Sequence, residues 1–344
     1  MKNFVFILLF FSFSSLAKDT FKVCWSIYAG WMPWSYAAEQ GIIKKWADKY
    51  DIAIDVVQVN EYMESINQYT SGAFDGCTLA SMDALTIPAA GGVDTTALIL
   101  GDYSNGNDAV IMKGSDSLAD IKGANVNLVE LSLSHYLLAR GLNSVGLSED
   151  DVQIINTSDA DIVSIYNTNN VKALVTWNPM VNEIMKLPES HIVFDSSQIP
   201  GEIMDLMVVN TETLKQHPAL GKALVGAWYE TMQIMASDSE QGKMARSIMA
   251  QAAGTDLASY ENQLATTKMF YQAKEALDFM NDPRLITTMK NVAEFSFKHG
   301  LLGEGANDAG AIGIETPQGT YGNKENIKLR FNPIYTQMAA DGNL

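Results

Sequence analysis

The sequence predicts an α/β chain of two tandem lobes followed by a helical tail. Three observations predict it. Strand-like and helix-like segments alternate from residue 21 to residue 101, a second such series starts at 109, and from 212 onward apolar residues recur at helical spacing. With 344 residues, 47% of them hydrophobic, the chain can bury a sizeable core, and its length fits two domains. Charged residues are only 18%, which excludes a coiled coil and a disordered chain.

The first 17 residues read as a secretory signal peptide. Lys2 supplies a positive start, Phe4 to Phe13 a short apolar run, and Ser15-Leu16-Ala17 a small-residue cleavage pattern. That run is too short to span a bilayer, and no later segment has about 18 apolar residues in a row. The mature protein is therefore expected to be soluble and exported. Cleavage removes one lysine and leaves 22 basic against 40 acidic residues, a net charge of −18. Such a chain repels nucleic-acid phosphates and anionic lipid.

The elements follow in order. FKVCWSIY (21–28) is rich in β-formers and reads as a strand. YAGWMPW (28–34) reads as a loop, because Gly30 and Pro33 interrupt helical spacing. Its tryptophans either fold back on the core or wall a pocket. Ile42, Ile43, Trp46 and Tyr50 mark a helix over 37–52; strands follow at 53–60 and 74–81 around a helix at 62–72. After a strand at 96–101, the turn DYSNGND (102–108) leads into a strand at 109–113. The second series places strands at 120–130, 152–158 and 171–179 and helices at 131–146 and 159–168. A return strand occupies 201–210, helices follow, and the Gly-rich stretch 303–323 reads as loop. The lobes are then 18–102 with 206–344, and 103–205, crossing near Gly101–Gly106 and Gly201–Asp205.

Cys24 and Cys77 fall on neighbouring parallel strands, a geometry unfavourable to a bridge, so two buried thiols are expected. Four scattered histidines and two cysteines lack metal spacing, and no cofactor is indicated.

Ligands of open α/β sheets sit beyond the carboxyl ends of the strands. Those ends carry Trp31 and Trp34, Thr78 and Ser81, Asp102 and Tyr103, Glu130 and Ser132, Trp177 and Asn178, and Glu202 and Asp205. Aromatic rings and carboxylates without Lys or Arg suit a cation better than an anion. Each carboxylate also reads as a helix cap or a surface residue, and Ser132 as an N-cap. A Ser132–His135 nucleophile lacks an orienting third group.

Some motifs carry a resemblance. Ile121-Lys122-Gly123, Val126, then Ser132-Leu133-Ser134-His135-Tyr136, and later ALVTWNP (173–179), resemble the solute-binding proteins of ABC importers for taurine, aliphatic sulfonates and nitrate. WMPW, INQYTSGAFDGC, NLVELSLSHYLLARGL and VFDSSQIPGEIMDLMVVNT look like a subgroup associated with urea carboxylase. The resemblance implies a type II periplasmic binding fold, a small-molecule ligand and a membrane partner of permease and ATPase. It also brings His135 into the ligand set. Glu130 stands where many sulfonate binders carry a stretch suited to an anion, so the expected ligand is guanidinium, an amidine, an amine or urea. A sulfonate or other small organic anion is the alternative, and a relative of the thiamine-pyrimidine-precursor enzymes a further one. Ordinary carboxylates would release a cation below about pH 4–5.

Overall fold

A computed structural model describes residues 18–168 and 170–344. The signal peptide expected over residues 1–17 lies outside them. No described helix is long and apolar enough to cross a membrane.

The strands are β1 (Asp19–Trp25), β2 (Ile52–Gln58), β3 (Gly76–Ala80), β4 (Thr95–Ser104), β5 (Asp108–Lys113), β6 (Asn125–Leu128), β7 (Gln153–Asn156), β8 (Ala173–Trp177), β9 (Ser190–Asp195), β10 (Met204–Asn210), β11 (Thr267–Met269), β12 (Gly313–Thr316), β13 (Gly319–Tyr321) and β14 (Ile327–Phe331). They form two sheets, so the expected α/β class with two lobes is observed. The larger runs β13-β12-β14-β4-β10-β3-β1-β2, with β11 on β4; the smaller runs β7-β6-β8-β5-β9. β1 lies parallel to β2 and β3, whereas β10 enters antiparallel between β3 and β4. The chain passes between sheets from β4 to β5 and returns from β9 to β10, which puts both crossings side by side.

Four expectations need correction. YAGWMPW is not all loop: a helix starts at Met32 and carries Pro33 in its first turn, where the missing N–H costs nothing. The helix expected over 37–52 is two helices, Met32–Glu39 and Ile42–Lys49, separated by Gly41 at φ 72°. The Gly-rich stretch 303–323 carries β12 and β13, which extend the large sheet through β14. Finally, Cys24 and Cys77 are bonded. They stand opposite each other in the β1–β3 register, with Cα atoms 4.4 Å apart, so no movement is needed to bridge them.

The core of the large-sheet lobe explains Trp34. It is 1% exposed and packs on Trp228 with ring centroids 5.1 Å apart. The disulfide spans 53 residues of this lobe. Replacing both cysteines by serine should destabilise it by up to about 4 kcal/mol on the loop-entropy argument. Calorimetry should show a lower unfolding midpoint for the double variant, and reductant should lower only the wild-type midpoint.

Candidate ligand-binding cavity

A cavity of about 220 Å3 opens between the two sheets. The large-sheet side supplies Ser26, Tyr28 and Trp31 after β1, Tyr62 and Met63 at the start of the helix Tyr62–Thr70, Ala80 at the end of β3, and Asp205 on β10. The small-sheet side supplies Asn107 and Asp108, then Val129, Ser132 and Leu133 after β6, Asp159 after β7, and Trp177 with Pro179 at the end of β8. Carboxyl ends of strands thus furnish most of the wall, as parallel sheets dictate.

Aromatic side chains shape one face. Trp31 meets Tyr28 edge-on at 5.1 Å and Tyr62 at 5.7 Å with the rings tilted by 33°. Tyr28 donates its hydroxyl to Asp102 Oδ1 at 2.9 Å. Tyr62 donates to Asp83 Oδ2 at 2.5 Å and accepts from the Ala80 N–H at 2.9 Å. The hydroxyls are thereby tied down, and the ring positions with them.

Acidic groups dominate the electrostatics. Asp102 on β4 and Asp205 on β10 are cross-strand neighbours, both buried. Burial pushes both carboxyls up, and the charges of Asp102 and Asp108 push Asp205 further. Such a pair holds one proton between its members. Asp102 Oδ2 has no other hydrogen-bond partner. Burial also raises Asp108 to about 6, against the hydrogen bonds from Ser104 and Asn107. Asp83, behind Tyr62, is likewise raised to about 6 by burial. Among the described residues that line the cavity there is no Lys, Arg or His.

Of the residues singled out in the sequence, Trp31, Ser132, Trp177 and Asp205 line the cavity. Asp102 sits just behind the wall on Tyr28 and Asp205. Trp34 lies in the core. Thr78 and Ser81 are buried at the end of β3, outside the lining. Glu130 is exposed and outside the lining, its backbone N–H bonded to Asn156 Oδ1; Val129 and Ser132, on either side of the turn at Leu131 (φ 64°), line the cavity instead. His135 is buried against Glu149. Asn178 donates to Thr266 Oγ1 and accepts from the Asn182 N–H, so it caps a helix. Glu202 is occupied by Arg140 and Tyr136. Sequence reasoning missed Tyr28, Tyr62, Asn107, Asp108 and Asp159 as lining residues. Asp159 was legible, since it directly follows the predicted strand 152–158, whereas Asp108 precedes the predicted strand 109–113 and the carboxyl-end rule does not reach it.

A family profile described as NMT1/THI5 like matches residues 36–242. The chain belongs to the NMT1/THI5-like family. Among curated proteins, this family member is 23% identical over 203 residues to the taurine-binding periplasmic protein of Escherichia coli K12, covering 58% of this chain and 59% of that protein. A binding protein of Brucella abortus is 23% identical over 226 residues, 64% of this chain and 68% of the relative. Solved structures of the same fold include the periplasmic aliphatic sulphonate binding protein of E. coli (TM-score 0.69, 15% identity, 84% of this chain and 95% of that one). Another is a sulfonate transporter binding protein from Methylobacillus flagellatus (TM-score 0.70, 14% identity, 94% of each chain).

Two outcomes follow for this family member. A Cβ at Gly30 would lie 2.4 Å from Asp102 Oδ2 and 2.7 Å from the Tyr28 ring, so Gly30→Ala should displace that pair and destabilise by about 1–3 kcal/mol, read by denaturant titration. The second concerns pH. Asp83 and Asp108 titrate higher in the fold than the ordinary value near 3.9, so the fold favours their protonated forms. The stability this gives is complete below about pH 4 and lost as pH rises through about 6. The ligand-free midpoint should therefore fall between pH 5 and 8, and Asp108→Asn should flatten the fall; a midpoint rising over that window would contradict the assignment.

Proposed function

We propose that this chain is the solute-capturing component of an ABC importer in the periplasm, and that its ligand is a small nitrogen-containing solute. A guanidinium, amidine or amine cation fits best, with urea as the neutral member of the class. The observation that carries the reading is the cavity wall. Its ionisable groups are carboxylates and tyrosines, with no cationic side chain, beside the faces of Trp31 and Trp177. A cation there donates charge-assisted hydrogen bonds to Asp108 and to the Asp102–Asp205 pair, whose shared proton it displaces, and is drawn to the aromatic rings, all strengthened by burial. The urea carboxylase-associated motifs favour the same nitrogen class. A membrane permease and ATPase are the partners this role requires, and the chain would act as a monomer.

A second reading has its own observation. Ser132 and Leu133 open a 12-residue helix at the cavity, and helix N-termini favour anions. The names of the taurine- and sulphonate-binding relatives point the same way. The Ser132 side chain already caps that helix by accepting from the Ser134 N–H, and Asp159 stands at the next helix start. The wall thus sets carboxylate charge against an anion.

A thermal-shift panel at pH 7.5 tests the proposal, with guanidinium at low millimolar concentration, urea, choline, agmatine, taurine and nitrate. A ligand at about 100 times its dissociation constant adds roughly 2.7 kcal/mol and raises the midpoint by a few degrees. The expected shift comes with an N–H-bearing cation, is lost in Asp108→Asn and Asp205→Asn, and fades as pH falls through about 6, the value to which burial raises Asp108. That is higher than the pH 4–5 expected of ordinary carboxylates. A shift with taurine or nitrate alone, or full retention in both variants, would overturn it.

A further inference from the structure

A charge cluster joins the two lobes beside the cavity. The Glu149 carboxylate faces three donors: His135 Nε2 at 2.6 Å and His299 Nε2 at 2.8 Å on Oε1, and Lys298 Nζ at 2.7 Å on Oε2. The three come from opposite sides, one from the small-sheet lobe and two from the large-sheet lobe. His135 lies on the helix Leu133–Ser144, which packs on β5 and β8 of the small sheet. Lys298 and His299 end the helix Arg284–Lys298, which packs on β12 and β13 of the large sheet. Phe295 of that helix also meets Tyr136 edge-on at 5.2 Å.

The cluster reaches the cavity through His135. Its Nδ1 accepts the Leu131 N–H at 3.2 Å, so the ring proton sits on Nε2 and is donated to Glu149. Leu131 is the left-handed residue between Val129 and Ser132, which both line the cavity. A non-glycine residue at that φ persists only where its surroundings hold it. His135 is one such support, and its other nitrogen is anchored on Glu149.

His135, Glu149 and His299 also have the composition of a divalent-metal site. The hydrogen bonds at His135 argue against one. A His that binds metal through Nε2 carries its proton on Nδ1 and donates it outward. His299 meets that condition, since its Nδ1 donates to the Phe295 carbonyl at 2.8 Å, but Nδ1 of His135 faces a backbone donor. Burial pushes the Glu149 carboxyl up, yet the bonds from His135 and Lys298 and the charge of His299 prevail and hold it at about 2. The carboxylate is already satisfied by the donors around it.

We propose that Lys298, His299, Glu149 and His135 form an interlobe latch in which His135 is a positioning residue for the 129–133 cavity turn. With the lobes together, donors from the large-sheet lobe fix Glu149, Glu149 fixes the His135 ring, and the ring fixes the turn. With the lobes apart, Glu149 loses Lys298 and His299, and the turn loosens. The ligand's identity does not enter this argument.

Hydrogen exchange on the full, ligand-free chain tests it across the cleft. A Lys298→Met, His299→Gln double variant changes only the large-sheet side, at positions outside the cavity wall. Amides of 129–136, on the other lobe, should exchange about tenfold faster, while the rest of the small-sheet lobe is unchanged. Glu149→Gln should give the same loosening, and adding it to the double variant should add nothing, as for members of one network. Unchanged exchange at 129–136, or additive effects, would overturn the latch. Chelator and a slight molar excess of Zn2+ should leave wild-type exchange alone; zinc-dependent protection abolished by His299→Gln would overturn the latch in favour of a metal site.

Discussion

Two carboxylates that cannot both be charged stand where the chain crosses between its lobes. Asp102 and Asp205 face each other on adjacent strands at the point where β4 leaves the large sheet and β10 returns to it. Removing one full charge from water costs several kcal/mol after relaxation, and a second like charge beside it costs more. The surroundings are built to meet that cost. Tyr28 donates to Asp102, Gly30 leaves room for its other oxygen, and Asp108 is held by Ser104 and Asn107.

The same acids set the charge of the cavity wall. Binding folds of this kind offer helix N-termini around the cleft, and one opens here at Ser132. Those dipoles carry about half a charge each, whereas the wall supplies the carboxyls of Asp108 and Asp159 and the proton-sharing Asp205. The scaffold therefore leaves the sign of the ligand open, and a few side chains at strand ends decide it.

The alternation of β-rich and helical segments was legible, and with it both lobes and most strand ends. Locating the strand ends located Trp31, Ser132, Trp177 and Asp205. What failed was direction. Glu130 and Val129 are one residue apart, and only Val129 lines the cavity, beside the turn at Leu131. Trp31 and Trp34 looked equivalent, yet the helix starting at Met32 turns Trp34 into the core. The cysteine pair failed for a related reason, because register cannot be read from two strands separately. β12 and β13 were hidden because their glycines suit a tight hairpin as well as a loop.

The insertion of β10 between β3 and β4 has a kinetic side. The small sheet is made from one continuous run, Asp108–Asp195, so all its pairings close within that run. The large sheet cannot be completed in that way. Its central strand β4 waits for β10 on one edge and for β14, more than two hundred residues further along, on the other. Contacts between such distant segments form slowly, because their loop-closure entropy is lost before the pairing stabilises. During synthesis the inserted lobe can reach its final pairing while the lobe that encloses it in sequence still lacks its middle. One edge of β4 therefore stays unpaired until the β14 segment has been made.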